Sequence, residues 1–286
     1  MNCWLVVNTF MDKSKFKNLY ELLSNAFLKH DISLQIKRAE DISLEVGKEI
    51  KDKPDFAIFW DKDIYLAERL EAQGIKLFKS SSEIYLCDNK ILMYQELIKK
   101  NIRIPRTFIA PKTFEGLGYK NREFLDSVIK EIGWPIVIKE AYGSFGEQVY
   151  LANNMAEANE IIDRIGYKDF LIQEFIASSK GRDVRINVVG NQVIASMLRE
   201  NKNDFRSNIS NGGSGTAYQP NQEFINLAIN ATKALGLDFA GVDVMFGEDG
   251  PIICEINSNP QFASTLAATG INLADYIADY ILRKVC

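Results

Sequence analysis

The hydrophobic positions in the first third of the chain predict strands that alternate with helices. Four short apolar runs have the length and composition of buried strands, at residues 4–7, 34–36, 56–60 and 75–78. Apolar residues recur at helical spacing over 19–27, and a second helix is predicted from 64 to 72, ending before Gly74. Because strands that alternate with helices form parallel sheets, this segment predicts a small parallel-sheet α/β domain.

A further helix is predicted from about residue 89 to 100, with Asp88 and Asn89 as candidate caps. Lys90 lies in its first turn, where a cation is unfavourable against the helix dipole. Two interpretations therefore stay open: Lys90 binds an anionic ligand, or it is a solvated surface lysine.

Lys139 ends the apolar strand 136–139 and precedes the loop G-S-F-G at 143–146, after which a strand returns at 148–151. An ammonium group beside exposed loop amides suits the phosphates of a nucleotide. An ordinary hairpin turn has the same composition, and no Walker A sequence occurs in the chain. A nucleotide site and a plain hairpin are both compatible with this pattern.

Asp183, Arg185 and Asn187 alternate with apolar residues, so they share one face of a predicted strand. An arginine there can bind a phosphate or a carboxylate with two hydrogen bonds, whereas the alternative is a surface Asp–Arg pair that contributes little. The loop 204–215 is polar and rich in glycine but contains Phe205 and Arg206. This composition favours a mobile lid that closes over a charged ligand.

Two apolar runs at 239–246 and 251–256 flank the turn G-E-D-G and predict a β-hairpin. Pairing of its strands brings Asp243 opposite Glu255, and Asn257 shares the face of Glu255. Two carboxylates and an amide oxygen make an all-oxygen site suited to a hard cation such as Mg²⁺. The alternative is a set of polar residues on the solvated face of an antiparallel sheet.

Composition narrows the class of protein. The chain has 286 residues, enough for two or three packed subdomains, of which 47% are hydrophobic and 25% charged. The net charge of −4 argues against nucleic acid as a partner. Cys3, Cys87, Cys254 and Cys286 lack C-x-x-C spacing, which indicates reduced thiols in a cytoplasmic protein. No secretory signal and no run long enough to span a membrane is present, so no membrane association is expected.

Taken in order, six motifs resemble those of the ATP-grasp superfamily, and specifically its RimK-type branch of carboxylate–amine (alpha-L-glutamate) ligases. They are the strand ending at Lys139 with G-S-F-G, then Q-E-F-I at 173–176, G-R-D-V-R at 181–185, D-F-R-S-N and N-G-G within 204–213, A-G-V-D at 240–243 and E-I-N-S-N-P at 255–260. The resemblance implies an ATP-grasp fold, α/β with α+β subdomains. Its expected parts are an N-terminal α/β domain over 1–87, a first ATP-grasp lobe over 88–176 and a C-terminal lobe with the magnesium site over 177–286.

The resemblance also implies roles for individual residues. The expected nucleotide contacts are Lys90 and Lys139 on phosphates, Glu174 and Phe175 on adenine through backbone groups, Asp183 near the ribose, and Arg206, Ser207 and Asn208 on the phosphate side. The expected ligands of two Mg²⁺ ions, with Mn²⁺ as a substitute, are Asp243, Glu255 and Asn257. Arg206 is the implied catalytic residue at the γ-phosphate, and Arg185 the one that stabilises an acyl phosphate.

The implied reaction is ATP-dependent amide formation in two steps. A carboxylate attacks the γ-phosphorus to give an acyl phosphate and ADP, and an amine then displaces phosphate. The resemblance implies a homo-oligomeric enzyme that adds glutamate, or a similar amino acid, to the carboxylate of a small molecule, peptide, protein or cofactor. Two alternatives stay open: an ATP-grasp enzyme that modifies a ribosomally made peptide, and a nucleotide-binding sensor without catalysis. The presence of the phosphate-binding cations and metal ligands counts against the sensor.

Overall fold

Three β-sheets form the framework of the computed structural model, which describes residues 1–11, 13–42 and 45–285. The first sheet is built from the first third of the chain, and the other two from the remainder. Short 3₁₀ helices lie at Ala39–Asp41, Ala177–Ser179 and Ile209–Asn211. The chain is thus mixed α/β, as predicted.

The first sheet is parallel throughout, with the strand order β2-β1-β3-β4. Its elements are β1 Cys3–Val7, α1 Lys13–Leu28, β2 Leu34–Lys37, β3 Phe56–Trp60, α2 Ile64–Ala72, β4 Leu77–Phe78 and α3 Ser81–Asp88. Every residue of β1 and β3 is buried, as expected of central parallel strands covered on both faces. The predicted parallel sheet is therefore confirmed, although β4 is shorter than predicted. The hydrophobic spacing does not predict α3, whose start is marked instead by a capping box of Ser80 and Glu83.

The second sheet is antiparallel, with the order β5-β8-β6-β7. Its elements, with the helix that precedes them, are α4 Lys90–Lys99, β5 Thr107–Ile109, α5 Glu123–Ile132, β6 Ile136–Glu140, β7 Val149–Ala152, α6 Met155–Ile165 and β8 Phe170–Glu174. Asn89 caps α4 as predicted, because its side chain accepts hydrogen bonds from the amides of Ile91 and Leu92. The sequence predictions omit helix α5, although its apolar residues, among them Leu125 and Val128, recur at helical spacing.

The third sheet is also antiparallel, with the order β11-β10-β9-β12-β13. Its elements and the helices that follow are β9 Arg182–Val189, β10 Gln192–Glu200, β11 Ser214–Ala217, α7 Gln222–Ala234, β12 Phe239–Gly247, β13 Gly250–Asn257, α8 Ala263–Thr269 and α9 Leu273–Val285. Strands β12 and β13 form the predicted hairpin, and Asp243 pairs with Glu255. The register shifts directly after Asp243, which marks a β-bulge at Cys254.

The packing of α9 joins the two ends of the chain. Its apolar face, with Ile277 and Ile281 fully buried, packs in one core with α1 and with the strands of the first sheet. Phe239 at the start of β12 belongs to the same core and stacks on Trp60, with 6.0 Å between the ring centroids. The first sheet is therefore covered partly by residues from the far end of the sequence.

Two expectations from composition can be compared with the structure. Within the described ranges no helix combines the length and apolarity that crossing a bilayer requires. Cys3, Cys87 and Cys254 are reduced thiols, as predicted, whereas Cys286 lies outside the described residues. Burial and nearby carboxylates raise the pKa of the Cys254 thiol to about 11, so this thiol is protonated at neutral pH.

Candidate active site

A cavity of about 100 Å³ lies between the second and third sheets. We call it the nucleotide cavity, because most of the residues predicted for a nucleotide and metal site line it. These are Lys90, Lys139, Glu174, Phe175, Asp183, Arg206, Ser207, Asn208, Asp243 and Glu255. Arg185 and Asn257 line an adjoining cavity instead. The fold thus brings residues from seven separate stretches of sequence to one place.

Lys139 is held at the end of β6 with its side chain buried. Its Nζ donates to the hydroxyl of Tyr94 at 3.2 Å, and that hydroxyl in turn donates to the carbonyl of Cys254. Burial opposes the charged form of Lys139, but Tyr94, Cys254 and Glu255 outweigh this effect and raise its pKa. Lys139 is therefore a fixed cation at neutral pH, which suits a phosphate.

Lys90 is buried in the first turn of α4, so it is not a solvated surface lysine. Its backbone amide donates to the carbonyl of Ala141 at 2.8 Å, and its Nζ donates to the carbonyl of Gly143 at 3.2 Å. The same Nζ lies 3.2 Å from Oε1 of Glu255. The surface-lysine interpretation is wrong, because this cation is turned inward against the loop 143–146 and the carboxylate of Glu255.

Glu174 and Phe175 lie at the end of β8, on the edge of the nucleotide cavity. The carboxylate of Glu174 accepts a hydrogen bond from the backbone amide of Arg106 at 2.8 Å, and the amide of Glu174 donates to the carbonyl of Arg106 at 3.1 Å. These two bonds fix the backbone where the strand ends. A fixed backbone segment beside a cavity can present its own amides and carbonyls to a planar ligand.

Four buried charges run across neighbouring strands of the third sheet. In register, Arg185 pairs with Asp243 and Arg199 pairs with Asp183. Arg185 donates to both carboxylate oxygens of Asp243, with 2.9 Å between Nη2 and Oδ2. Arg199 holds Asp183 through Nε at 2.7 Å and also lies 2.9 Å from Oδ2 of Asp243. The alternative of an exposed Asp–Arg pair is wrong, because all four residues are buried.

The electrostatics of this network follow from its geometry. Burial works against ionisation of Asp243, but the guanidinium groups of Arg185 and Arg199 more than offset it and hold the pKa of its carboxyl below the usual value. Asp243 therefore stays ionised at neutral pH. Removing one member would leave a buried charge without compensation, which is strongly destabilising.

The three predicted metal ligands differ in how they are engaged. Asp243 is bound by the two arginines, Glu255 faces Lys90 and is 30% exposed, and the amide of Asn257 donates to the carbonyl of Gly241 at 3.4 Å. In the part of the chain that the structure describes, no group of three or more His, Cys, Asp or Glu side chains is arranged to hold a metal ion. The donors fit Mg²⁺ in type, since all are oxygens and the oxygen of Asn257 is left free by this hydrogen bond.

Two loops meet above the nucleotide cavity. The guanidinium of Arg206 donates hydrogen bonds to the carbonyl of Gly146 at 2.6 Å and to the carboxylate of Asp204. The hydrogen bond with Asp204 raises the pKa of Arg206. Gly146 has φ +76°, a backbone conformation that favours glycine, and a Cβ there would lie 2.8 Å from Oδ1 of Asn208, whose side chain would have to move. Ser207 is buried beside it. The loops 143–146 and 204–213 therefore contact each other at the nucleotide cavity.

Sequence reasoning missed two residues of the site. Arg199 bridges both aspartates of the charged network, and Tyr94 links Lys139 to the backbone of β13. The hairpin of β9 and β10 carries a usable signal for Arg199, because pairing of these strands places it directly opposite Asp183. Tyr94 carries no comparable signal, since its apolar ring fits the buried face of α4 equally well.

The adjoining cavity has a volume of about 250 Å³. We call it the second cavity. It is lined by Arg185, by residues 255–259 that end β13, and by residues of the first sheet and its loops, among them Asn8, Trp60 and Asp61. Asn208 and Glu255 line both cavities, so the two spaces meet at these side chains.

Comparison with solved structures places this fold among the ATP-grasp enzymes. A RimK-domain ATP-grasp protein from Sphaerobacter thermophilus has a TM-score of 0.75, with 98% of this chain and 99% of that chain covered at 21% identity. The ATP-grasp ligase PsnB, solved with a phosphomimetic variant of its minimal precursor, Mg and ADP, has a TM-score of 0.73, with 99% and 98% covered at 16% identity. These likenesses show that the chain has an ATP-grasp fold.

Sequence comparison identifies the branch. The RimK-like ATP-grasp domain matches residues 87–281, and the chain belongs to this family. A probable alpha-L-glutamate ligase from Vibrio parahaemolyticus is 36% identical over 223 residues, covering 77% of this chain and 71% of that protein. Human N-acetylaspartylglutamate synthase A is 33% identical over 228 residues, covering 78% of this chain and 56% of that protein. A protein of Mycoplasma pneumoniae, the MG012 homolog, is 33% identical over 262 residues, covering 90% and 91%. The chain is an acid–amino-acid ligase, and the expectation of ligase chemistry is confirmed.

Proposed function

We propose that this ligase joins the amino group of glutamate, or of a similar amino acid, to a carboxylate through an acyl phosphate, with release of ADP and phosphate. The observation that carries the proposal is the meeting of two cavities at Asn208 and Glu255. A γ-phosphoryl group in the nucleotide cavity would lie next to a carboxylate bound in the second cavity. In-line transfer requires this arrangement of donor and acceptor.

The nucleotide cavity has a suitable group for each part of ATP. Lys139 and Lys90 are buried cations for the phosphates, and Arg206, with Ser207 and Asn208, would cover the γ-phosphate from the loop side. Backbone groups at Glu174 and Phe175 would hold adenine. Asp183 would accept a ribose hydroxyl through lone pairs that Arg199 leaves free.

ATP-grasp ligases use ATP and Mg²⁺, and the proposal assigns two ions to Asp243, Glu255 and Asn257. Support comes from their all-oxygen donors and from Glu255 lying where the two cavities meet. Bound Mg²⁺ neutralises charge on the phosphate oxygens. Glu255 would exchange its contact with Lys90 for the metal, which frees the Lys90 ammonium for a phosphate.

Arg185 would act on the second half of the reaction. It lines the second cavity, and its partner Asp243 holds its guanidinium in one orientation. A preorganised cation beside the acyl carbonyl stabilises the negative charge that develops when the amine attacks. The contact between loops 143–146 and 204–213 would keep water from the acyl phosphate.

The names of the relatives support glutamate as the amine. Both the probable alpha-L-glutamate ligase and the N-acetylaspartylglutamate synthase carry glutamate in their names. The carboxylate partner is open among a small molecule, a peptide and a protein. The second cavity is open enough on the side of the first sheet to take an extended chain end or a free acid.

The experiment is ADP release with ATP, Mg²⁺ and L-glutamate across a panel of carboxylic acids and peptides. Hydroxylamine replaces glutamate in parallel reactions, because it traps an acyl phosphate as a hydroxamate. We expect one carboxylate to give a hydroxamate with hydroxylamine and an amide with glutamate. A hydroxamate formed from glutamate alone would reverse the assigned roles. ADP release with neither product would overturn the proposal.

A further inference from the structure

Asp61 follows β3 at the wall of the second cavity and is only 7% exposed. Its carboxylate accepts hydrogen bonds from Nδ2 of Asn8 at 3.0 and 3.3 Å and from the backbone amide of Lys62 at 2.6 Å. These are neutral donors. They fix the position of the carboxylate without balancing its charge.

The other buried carboxylates of the described residues all have cationic partners. Asp183 is paired with Arg199, Asp243 with two arginines, and Glu140 with Lys168 at 2.8 Å. Asp61 makes no ion pair within 4.0 Å in the same part of the chain. A buried charge is costly unless it is paired, so its retention here calls for a partner from outside the chain.

The carboxylate of Asp61 acts on another residue that lines the second cavity, Tyr20. Asn8 and Tyr20, which surround it, both line the second cavity. Burial and the charge of Asp61 raise the pKa of the Tyr20 phenol, while Arg38 works in the opposite direction. Arg38 forms no ion pair with Asp61 within 4.0 Å among the described residues.

We propose that Asp61 binds the ammonium group of the amine substrate in the second cavity, and so selects amino acids over acids of the same shape that lack the amine. The proposal rests on the proposed function, because it needs an amine to be the second substrate. Asp61 would recognise the incoming amino acid from the side of the first sheet, while Arg185, on the same cavity, faces the carbonyl to be attacked. A hydrogen bond between opposite charges in a buried site is stronger than one between neutral groups. An acid with the ammonium group should therefore bind more tightly than the same acid without it.

The experiment compares equilibrium binding of L-glutamate and of glutarate, its analogue without the amino group, in the presence of ADP and Mg²⁺. We expect the wild-type protein to bind glutamate about tenfold more tightly than glutarate, as a charged hydrogen bond would give. Asp61→Asn should lose this preference and keep its affinity for ATP. The isosteric amide retains an acceptor for Asn8 and for the amide of Lys62, so the wall should stay in place.

Asp88→Asn is the matched control, because Asp88 lines the same cavity but already has Lys62 as its ion-pair partner. It should keep the preference for glutamate. An unchanged preference in Asp61→Asn, or equal or undetectable binding of both acids by the wild type, would overturn the inference. Trapping with hydroxylamine separates it from the proposed function, because carboxylate activation needs no amine. Hydroxamate formation together with an unchanged glutamate preference in Asp61→Asn would support the ligase reaction and contradict the ammonium site. Loss of the preference without hydroxamate formation would support the ammonium site and contradict carboxylate activation.

Discussion

The nucleotide cavity and the second cavity hold charge in different ways. In the nucleotide cavity, buried cations and carboxylates already pair with one another, as Arg199 does with Asp183 and Asp243. In the second cavity, Asp61 is buried with neutral donors only. The paired charges of the nucleotide cavity suit a highly charged ligand, which can replace some of the existing ion pairs with its own contacts. The second cavity suits a ligand that brings the missing charge with it.

The largest effect is expected at Glu255, where the two cavities meet. Glu255→Gln removes the charge that faces Lys90 and the proposed metal, so ADP release should fall by about 1,000-fold. Stability should change little, because the side chain is 30% exposed. Steady-state ADP assays and thermal unfolding check both parts. The exposed Glu223 on α7, changed to glutamine, is the control. Turnover near the wild-type rate in Glu255→Gln would remove this residue from the metal site.

Arg199→Met should cost stability. It leaves Asp183 without its ion-pair partner and Asp243 with one arginine, so the free energy of unfolding should fall by about 3–5 kcal/mol. Urea unfolding measures the change. Arg182→Met, on the exposed end of β9, should cost much less. An equal loss of unfolding free energy in Arg199→Met and Arg182→Met would mean that the buried ion pairs add no more stability than an exposed arginine does.

Arg206→Ala should slow turnover more than it weakens ATP binding. If the guanidinium acts on the transferring phosphoryl group, kcat should fall by about 100-fold with a small change in KM for ATP. The variant also loses the contact with Gly146 between the two loops. A raised KM with unchanged kcat would instead assign Arg206 to ground-state binding of ATP.

Lowering the pH should reduce the stability that Asp243 contributes through its ion pairs. Because its pKa is lowered in the folded protein, this carboxylate adds stability above its unfolded pKa of about 4, and that stability is lost as pH falls through the folded pKa. Asp243→Asn should therefore be less stable than the wild type at pH 7, and the difference should shrink on acidification below about pH 4. Urea titrations at pH 7, 5, 4 and 3 test this. A difference that stays constant with pH would contradict the ionised pairing.

The smallest effect is expected at Lys62, the exposed cation of the second cavity. Its side chain is 46% exposed, pairs with Asp88 and donates to Oγ of Ser144 at 3.2 Å. A pair this exposed contributes about 0–1 kcal/mol, so Lys62→Met should alter the melting temperature and glutamate binding only slightly. Lys99→Met, which removes another exposed pair, is the control. A tenfold loss of glutamate binding at Lys62 alone would identify it as a substrate ligand.

The sequence was sufficient for features that depend on neighbouring residues. The hairpin that brings Asp243 opposite Glu255 follows from two apolar runs and a turn, and Lys139 is marked by its place at the end of an apolar strand. The cap at Asn89 is likewise a local pattern. These predictions rest on strand alternation and capping chemistry, which act over a few residues.

Other features depend on strand order and on closure between distant segments. Arg199 reaches Asp243 only because β9 lies between β10 and β12 in the third sheet, and no local pattern specifies that order. The burial of Lys90 arises when the loop 143–146 folds over α4. The isolation of Asp61 is visible only once the cavity is assembled from the first sheet and the end of β13. Sequence alone therefore located the chemistry but missed how its charges are balanced.

The packing of α9 against α1 has a consequence for the order of events during synthesis. Ile277 and Ile281 complete the core that contains Leu23 and Phe27, residues translated some 250 positions earlier. The first sheet therefore leaves the ribosome with apolar surface uncovered, and it stays so until α9 has emerged. A ribosome-bound chain stopped before residue 273 should be a ready target for chaperones, whereas one extended beyond 285 should not.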